Sequence, residues 1–369
     1  MRSRRPPPPE DALARCVLDR HLGVRRGESV TVETWSHALP WARALVIEAR
    51  RRGARPVLLV EDESAFFRSL ELAGPSSVRM GAGTPHLGDA YVYLGGPEAF
   101  PRLLGLPAHD RDALAVRHDR RWWVAARRRR TRAVRLAVAD ATAPAAARYG
   151  VDREAWQAEL VRASLVDPRR LERSARRVLG RLGRARRIRV RHPNGTDLEV
   201  RRAPAAPLVR SGRPGRAPGD VWGEVPSGLL VVPLTGGAAE GVWESNRPAY
   251  DRFVEPPLAV GARWTFSRGR LSEFAFEAGG EPFESAYSGA GRSRGRPVAL
   301  TVGLNPAISR APELQELAEG TLGLLLGDRS FDRGPRRTSF SYLSALAGAD
   351  ADADGRPWLA GGTPTVGSH

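Results

Sequence analysis

Lysine is absent from the 369 residues, so all 58 basic positions are arginine. The formal net charge of +17 invites a nucleic-acid reading. An all-arginine basic set, beside abundant Ala, Gly and Pro, is explained more simply by a GC-rich coding bias than by selection for phosphate binding. The densest basic run, Arg127 to Arg130, follows closely on Trp122 and Trp123 and could stack bases and contact phosphates. No recognised nucleic-acid motif accompanies it, so a solvated helix face is favoured and no nucleic-acid partner is expected. A single cysteine, Cys16, excludes an internal disulfide. It falls among apolar positions and reads as a small buried hydrophobe rather than a reactive thiol. No apolar run approaches the roughly 18 residues of a membrane span. The basic, proline-rich Met1 to Pro9 lacks the apolar segment of a secretory signal, so the chain is expected to be cytoplasmic without a membrane partner.

Familiar catalytic signatures are also missing. Without lysine there is no phosphate loop ending in Gly-Lys-Ser/Thr, and no Gly-x-Ser-x-Gly elbow occurs. Gly289, Gly291 and Gly295 lack dinucleotide-loop spacing. Asp350, Asp352, Asp354 and Gly355 imitate the start of a calcium loop, but the twelfth position is Gly361 instead of glutamate and Pro357 interrupts it. An acidic surface turn is the better reading. None of the seven histidines falls between His192 and the final residue, His369.

What remains is a soluble-type composition, 41% hydrophobic and 27% charged, long enough for two domains. Helices are expected at about Asp11–His21, Leu39–Arg52 and Glu63–Leu72. Strands are expected at Ser29–Glu33, Pro56–Val60 (short and buried), Ala90–Leu94 and Val134–Val138. Strands spaced by helices imply parallel βαβ units and a doubly wound sheet. Two further helices, about Arg153–Ser164 and Pro168–Gly183, follow. From Arg186 the pattern turns to hairpins. Asn194-Gly195 joins Arg187–His192 to Thr196–Arg201, and Gly269 joins Trp264–Phe266 to Leu271–Phe276. Leu229–Pro233, Val298–Val302 and Leu322–Leu326 read as apolar strands or runs, Glu313–Glu319 as helical, and Pro204–Gly219 as an irregular loop. The fold class is α/β: a doubly wound N-terminal domain over 11–185 and a mixed α+β domain over 186–362, with tails at 1–10 and 363–369.

Several short motifs, taken in order, carry a resemblance. They are Leu22-Gly23-Val24-Arg25-Arg26-Gly27-Glu28-Ser29-Val30, Glu48 to Ala54, Tyr149-Gly150-Val151 through Asp167-Pro168, Gly195-Thr196-Asp197-Leu198, Val225-Pro226-Ser227-Gly228, Gly303-Leu304-Asn305-Pro306, Glu319-Gly320-Thr321-Leu322 and Asp354-Gly355-Arg356. Across roughly residues 10 to 360 the chain resembles the aminopeptidase T/S family of metallopeptidases. That family shares its scaffold with the non-haem iron dihydroxypyridine dioxygenases. The resemblance implies a Rossmann-like N-terminal domain and a C-terminal domain that carries the metal site and forms a homodimer. Peptidase members use two metals to make hydroxide at neutral pH and clamp the tetrahedral intermediate.

The same resemblance places the ligands. The glutamate after the Pro-x-Gly turn corresponds to Leu229, and the glutamate four residues before the Gly-Leu-Asn-Pro glycine to Ala299. The histidine after the Gly-Thr step corresponds to Gly323, and a His-x-Asp pair to Ser339 and Ser341. Leucine, alanine and glycine side chains offer no donor atom, and serine hydroxyls are poor ligands for zinc or iron. No metal or other cofactor is therefore expected. The old cavity would be lined by Glu224, Ser227, Asn305, Ser339, Ser341 and Tyr342, with Glu240, Glu244 and Asn246 nearby. Glu224 or Glu240 could act as a base if buried. Three functions stay open. One is a metal-free homologue that binds a peptide or small molecule or supports a partner. The others are a repurposed metal-independent enzyme of specialised biosynthesis and an aminopeptidase with an atypical site.

Overall fold

The computed structural model describes residues 8–74, 88–106, 114, 125–215, 222–248, 250–251, 259–290, 294–309, 311–327 and 340–365. The chain forms two compact units, Met1–Pro168 with Gly212–Ser227, and Arg169–Ser211 with Gly228–His369. Among the described residues no helix is long and apolar enough to cross a membrane.

The first unit is built on a five-stranded parallel sheet. Its spatial order is Arg55–Glu61, Ser29–Trp35, Ala90–Leu94, Arg132–Leu136, Trp222–Val225. In sequence rank this is 2-1-3-4-5, the doubly wound order whose winding reverses between the first and third strands. The helices follow the expected signals. Leu39–Arg51 starts with Pro40 in its first turn and stops before Gly53, which has φ +73°. Glu63–Ala73 and Arg153–Ser164 are capped by Asp62 and Asp152, whose carboxylates accept from Ala65 N (2.8 Å) and Ala155 N (2.7 Å). The first helix, Pro9–Cys16, widens into a π-helical turn over Val17–His21. Leu13, Val17, Leu18, Val30, Val32, Leu45, Val92, Leu94 and Val134 fill one core between this helix pair and the sheet. Each such side chain contributes about 1.5–3 kcal/mol by leaving water. Cys16 is buried here; its thiol donates to the Ser164 carbonyl at 3.6 Å, and burial raises its pKa.

One strand of this parallel sheet departs from the sequence reading. Arg55–Glu61 was expected to be buried because Pro56–Val60 is an apolar run. It is the sheet edge instead, with Val57 42% and Val60 47% exposed. An apolar run does not distinguish a central strand from an edge, although Pro56 suits an edge because it has no N–H to donate.

The second unit is an antiparallel system. Its longest path runs Tyr250–Asp251, Ser341–Ala347, Thr321–Gly327, Pro297–Gly303, Leu229–Glu244, Asp197–Arg202, Arg187–Arg191, Asp350–Ala353, Arg356–Ala360, Thr363–Pro364. Arg263–Ser267 and Leu208–Arg210 also pair with the long strand Leu229–Glu244. That strand extends far beyond the expected Leu229–Pro233, because its two halves find different partners. The first half pairs Pro297–Gly303, the second Asp197–Arg202 and Arg263–Ser267. The helix Pro168–Leu182 buries Leu171, Ala175, Val178 and Leu182 at helical spacing, and Trp358 Nε1 donates to the Val178 carbonyl at 3.1 Å. Glu313–Glu319 is not a helix; it holds only a 3₁₀ turn at Gln315–Leu317. Phe283, on the helix Glu281–Gly289, packs within 6 Å of Trp264, Phe340 and Tyr342 (ring centroids 5.8, 5.4 and 4.8 Å).

The acidic run is structural. Asp350 accepts from Gly361 N, Asp352 pairs with Arg191, and Asp354 accepts from the Arg186 and Arg187 amides. The amide bonds hold the Asp354 carboxyl below its ordinary pKa.

Candidate functional site

Four strands of the second unit bring the ligand positions of the resemblance onto one surface. Register pairs Gly303 with Leu229, Thr301 with Val231 and Gly323, Ala299 with Pro233 and Leu325, and Ser341 with Gly327. Side chains alternate between faces along a strand. Leu229, Ala299, Thr301, Gly323 and Ser341 therefore share one face. Pro297–Gly303 and Thr321–Gly327 are buried at every position, which accounts for the continuous apolar runs in the sequence.

The chemistry of this face is plain. Leu229 is 2% exposed, Ala299 3%, Thr301 0% and Ser341 1%. A Cβ at Gly323 would overlap Thr301 Oγ1 and lie 3.1 Å from Leu343 Cδ1, so no side chain fits there without displacement. The Thr301 and Ser341 hydroxyls have no hydrogen-bond partner among the described residues. No three His, Cys, Asp or Glu side chains among the described residues gather as a metal would require. Thr301 was not singled out from the sequence. The period of two in Ala299-Leu300-Thr301 was the available signal, but it needed the register to acquire meaning.

The motifs framing this face knot together at its edge. Leu304 N donates to the Gly228 carbonyl (2.8 Å), Glu319 N to Asn305 O (3.0 Å) and Gly320 N to Gly303 O (3.1 Å). Gly228 has φ +128°, and a Cβ there would press on Asn305 Cβ at 3.0 Å; one at Gly303 would overlap the Ala318 carbonyl. The glycines are required by close backbone approach, independent of any ligand.

The remaining candidates divide between the units. In the second unit, Asn305 is fully buried and its Oδ1 accepts from Ala307 N at 3.0 Å, an Asx turn. Tyr342 is on the opposite face from Ser341, in the aromatic cluster. Asn246 is exposed and makes paired bonds to Ala347, giving to its carbonyl and accepting from its amide at 2.9 Å each. Glu240 is exposed and stands opposite Glu199 across the strands. Glu244 pairs with Arg263. Ser339 lies outside the described residues, as do Trp122 and Trp123.

In the first unit, Ser227 is buried and Glu224 is exposed. The two candidate bases, Glu224 and Glu240, are thus both exposed. Glu224 ends a row across the parallel sheet in which Glu33, Tyr93 and Arg135 precede it. Arg135 pairs with Asp140 at 2.7 Å. Burial raises the Asp140 carboxyl while Arg135 opposes the rise, and burial together with Glu33 raises the Tyr93 phenol. Sequence reading missed this row, because its members are far apart in the chain and only strand pairing aligns them.

No protein-family model and no curated protein matches the chain. Two solved structures share its fold over nearly its whole length. Wild-type AmpT from Thermus thermophilus aligns at TM-score 0.69 and 18% identity, covering 97% of this chain and 99% of that one. A 2,5-dihydroxypyridine dioxygenase from Pseudomonas putida KT2440 aligns at TM-score 0.57 and 13% identity, covering 98% and 99%. At such identities the likeness is one of fold: the chain is built on the mixed α/β scaffold that AmpT and the dioxygenase also display.

Proposed function

We propose that this chain is a metal-free homologue of a metalloaminopeptidase, working as a binding or accessory protein. The observation that carries the reading is the buried four-strand face. Where the resemblance assigns carboxylate and imidazole ligands, it holds Leu229, Ala299 and Gly323, with the Thr301 hydroxyl occupying the space in front of the glycine. Hydrocarbon donates no lone pair to a cation, and two neutral hydroxyls are weak ligands for zinc or iron. This donor set does not fit a two-metal centre.

The alternative of a repurposed metal-independent enzyme would need a nucleophile and a base together. Thr301 and Ser341 are closed off from solvent, and Glu240 is exposed beside Glu199, so the non-catalytic reading is favoured. A homodimer and a peptide or small-molecule ligand complete the proposal. The test is metal analysis of purified protein, together with release of leucine from a leucine anilide with and without a chelator. Substoichiometric metal and no chelator-sensitive release are expected. One or two equivalents of zinc, manganese or iron, or release abolished by the chelator, would sink it.

A further inference from the structure

We infer that the first unit holds a pocket for a small zwitterion, an ammonium and a carboxylate carried on an apolar body, as in a free apolar α-amino acid. The pocket is a cavity of about 350 Å³. Residues that follow three strands of the parallel sheet line it. His37 and Trp41 follow Ser29–Trp35, Glu98 follows Ala90–Leu94, and Ala139 and Thr142 follow Arg132–Leu136. This is the carboxyl end of a doubly wound sheet, beside the point where its winding reverses, the place where open α/β sheets bind ligands. The size is that of a small-molecule site.

The rim is tied in place. His37 Nε2 bonds the Ala139 carbonyl at 3.1 Å, Thr142 Oγ1 donates to Glu98 O at 2.9 Å, and Arg153 Nε donates to Ala141 O at 3.3 Å. Gly95 has φ +62°, and a Cβ there would meet Ala139 Cβ at 2.9 Å, so the strand ends are drawn close together. The bond at Ala139 must be donated by the imidazole, because a carbonyl only accepts. These contacts join three strand ends into one pre-formed wall.

The charges on that wall point to the ligand class. Two carboxylate-bearing residues, Glu10 and Glu98, and one guanidinium-bearing residue, Arg153, line the cavity. Among the described residues neither carboxylate has a hydrogen bond or ion pair, and no ion pair joins either to Arg153. Other arginines of this unit do find carboxylates: Arg51 and Arg52 on Glu48, Arg102 on Glu71, Arg132 on Glu28 and Arg135 on Asp140. Opposite charges held apart around one cavity match a guest with opposite charges of its own. Trp41, an aromatic residue, is also among those lining the cavity and suits an apolar body. The pocket is independent of the second-unit reading, and the metal analysis above says nothing about it.

The test is calorimetric titration of the full chain with L-phenylalanine, phenethylamine and 3-phenylpropionate. Phenylalanine is expected to bind, and each half-charged analogue to bind about tenfold more weakly or worse, since each loses one charge-assisted contact. Glu98→Gln should weaken phenylalanine and phenethylamine and leave 3-phenylpropionate unchanged; Arg153→Ala should do the reverse. Thermal melts check that both variants fold, and the near-isosteric Glu98→Gln decides alone if Arg153→Ala does not. No binding of phenylalanine, equal binding of all three probes, or wild-type binding by Glu98→Gln overturns the inference.

Discussion

Polar side chains are placed differently in the two units. At the carboxyl end of the parallel sheet, His37, Thr142 and Arg153 each satisfy a backbone carbonyl, and Asp140 is matched by Arg135. On the buried face of the antiparallel sheet the polar groups are few, neutral and unpaired, Thr301 and Ser341, amid Leu229, Ala299 and Leu343. A buried polar group without a partner costs free energy, whereas a bonded one is nearly neutral or favourable. In the first arrangement the polar groups named are bonded. The second is a packed face, framed by the glycine knot at Gly228, Gly303 and Gly320.

Leu229→Glu is the severest challenge to this contrast. If the face is a packed core, an unpaired carboxylate there costs about 4 kcal/mol, read from urea unfolding at pH 8. The loss should shrink near pH 4, where the carboxyl can be neutral, and zinc should restore none of it. Recovery of stability on adding zinc would show that coordination survives on this face, and the contrast between the units would fail.

Much of this architecture was legible in the sequence. Pro40, Gly53, Asp62 and Asp152 punctuate helices by local chemistry, and Ala90–Leu94 and the Asn194-Gly195 turn follow from local pattern. The edge position of Arg55–Glu61 and the length of Leu229–Glu244 were not, because both depend on which strands lie alongside. The same division holds at the candidate sites. Leu229, Ala299 and Gly323, the positions that the resemblance singles out, could be read one at a time. That they share a face with Thr301, or that Glu33, Tyr93, Arg135 and Glu224 form a row, required strand register. The cavity groups Glu10, Glu98 and Arg153 carry no motif, and topology alone assembles them.

His21 sharpens the comparison from the first unit. It is buried in the π-helical turn, its Nδ1 is 3.0 Å from the Gly212 carbonyl, and burial pushes its pKa from 6.5 down to about 4. The folded state therefore resists protonation that the unfolded chain accepts. Stability from this group is complete above pH 6.5 and is lost as pH falls from there to about 4, a total of roughly 3 kcal/mol. Denaturant melts between pH 7 and 4.5 should show this slope in the wild type and a flatter line in His21→Gln. Parallel slopes would mean that the imidazole is solvated and that the first unit's polar groups are not held in a fixed, buried arrangement.

The smallest expected effect has the opposite sign. Thr301→Val exchanges a buried hydroxyl for a methyl of nearly the same shape. In most cores that change removes a hydrogen bond and destabilises. Here Oγ1 has no partner among the described residues, so desolvation of the hydroxyl is a cost with no return, and its removal should raise stability by about 1 kcal/mol. The replacement methyl falls where Oγ1 now fills the space before Gly323, so the packing is preserved. Chemical denaturation reads the change directly. A loss of stability would mean that the hydroxyl is engaged, by water or by a bound group. The antiparallel face would then hold an engaged polar group rather than a dry core.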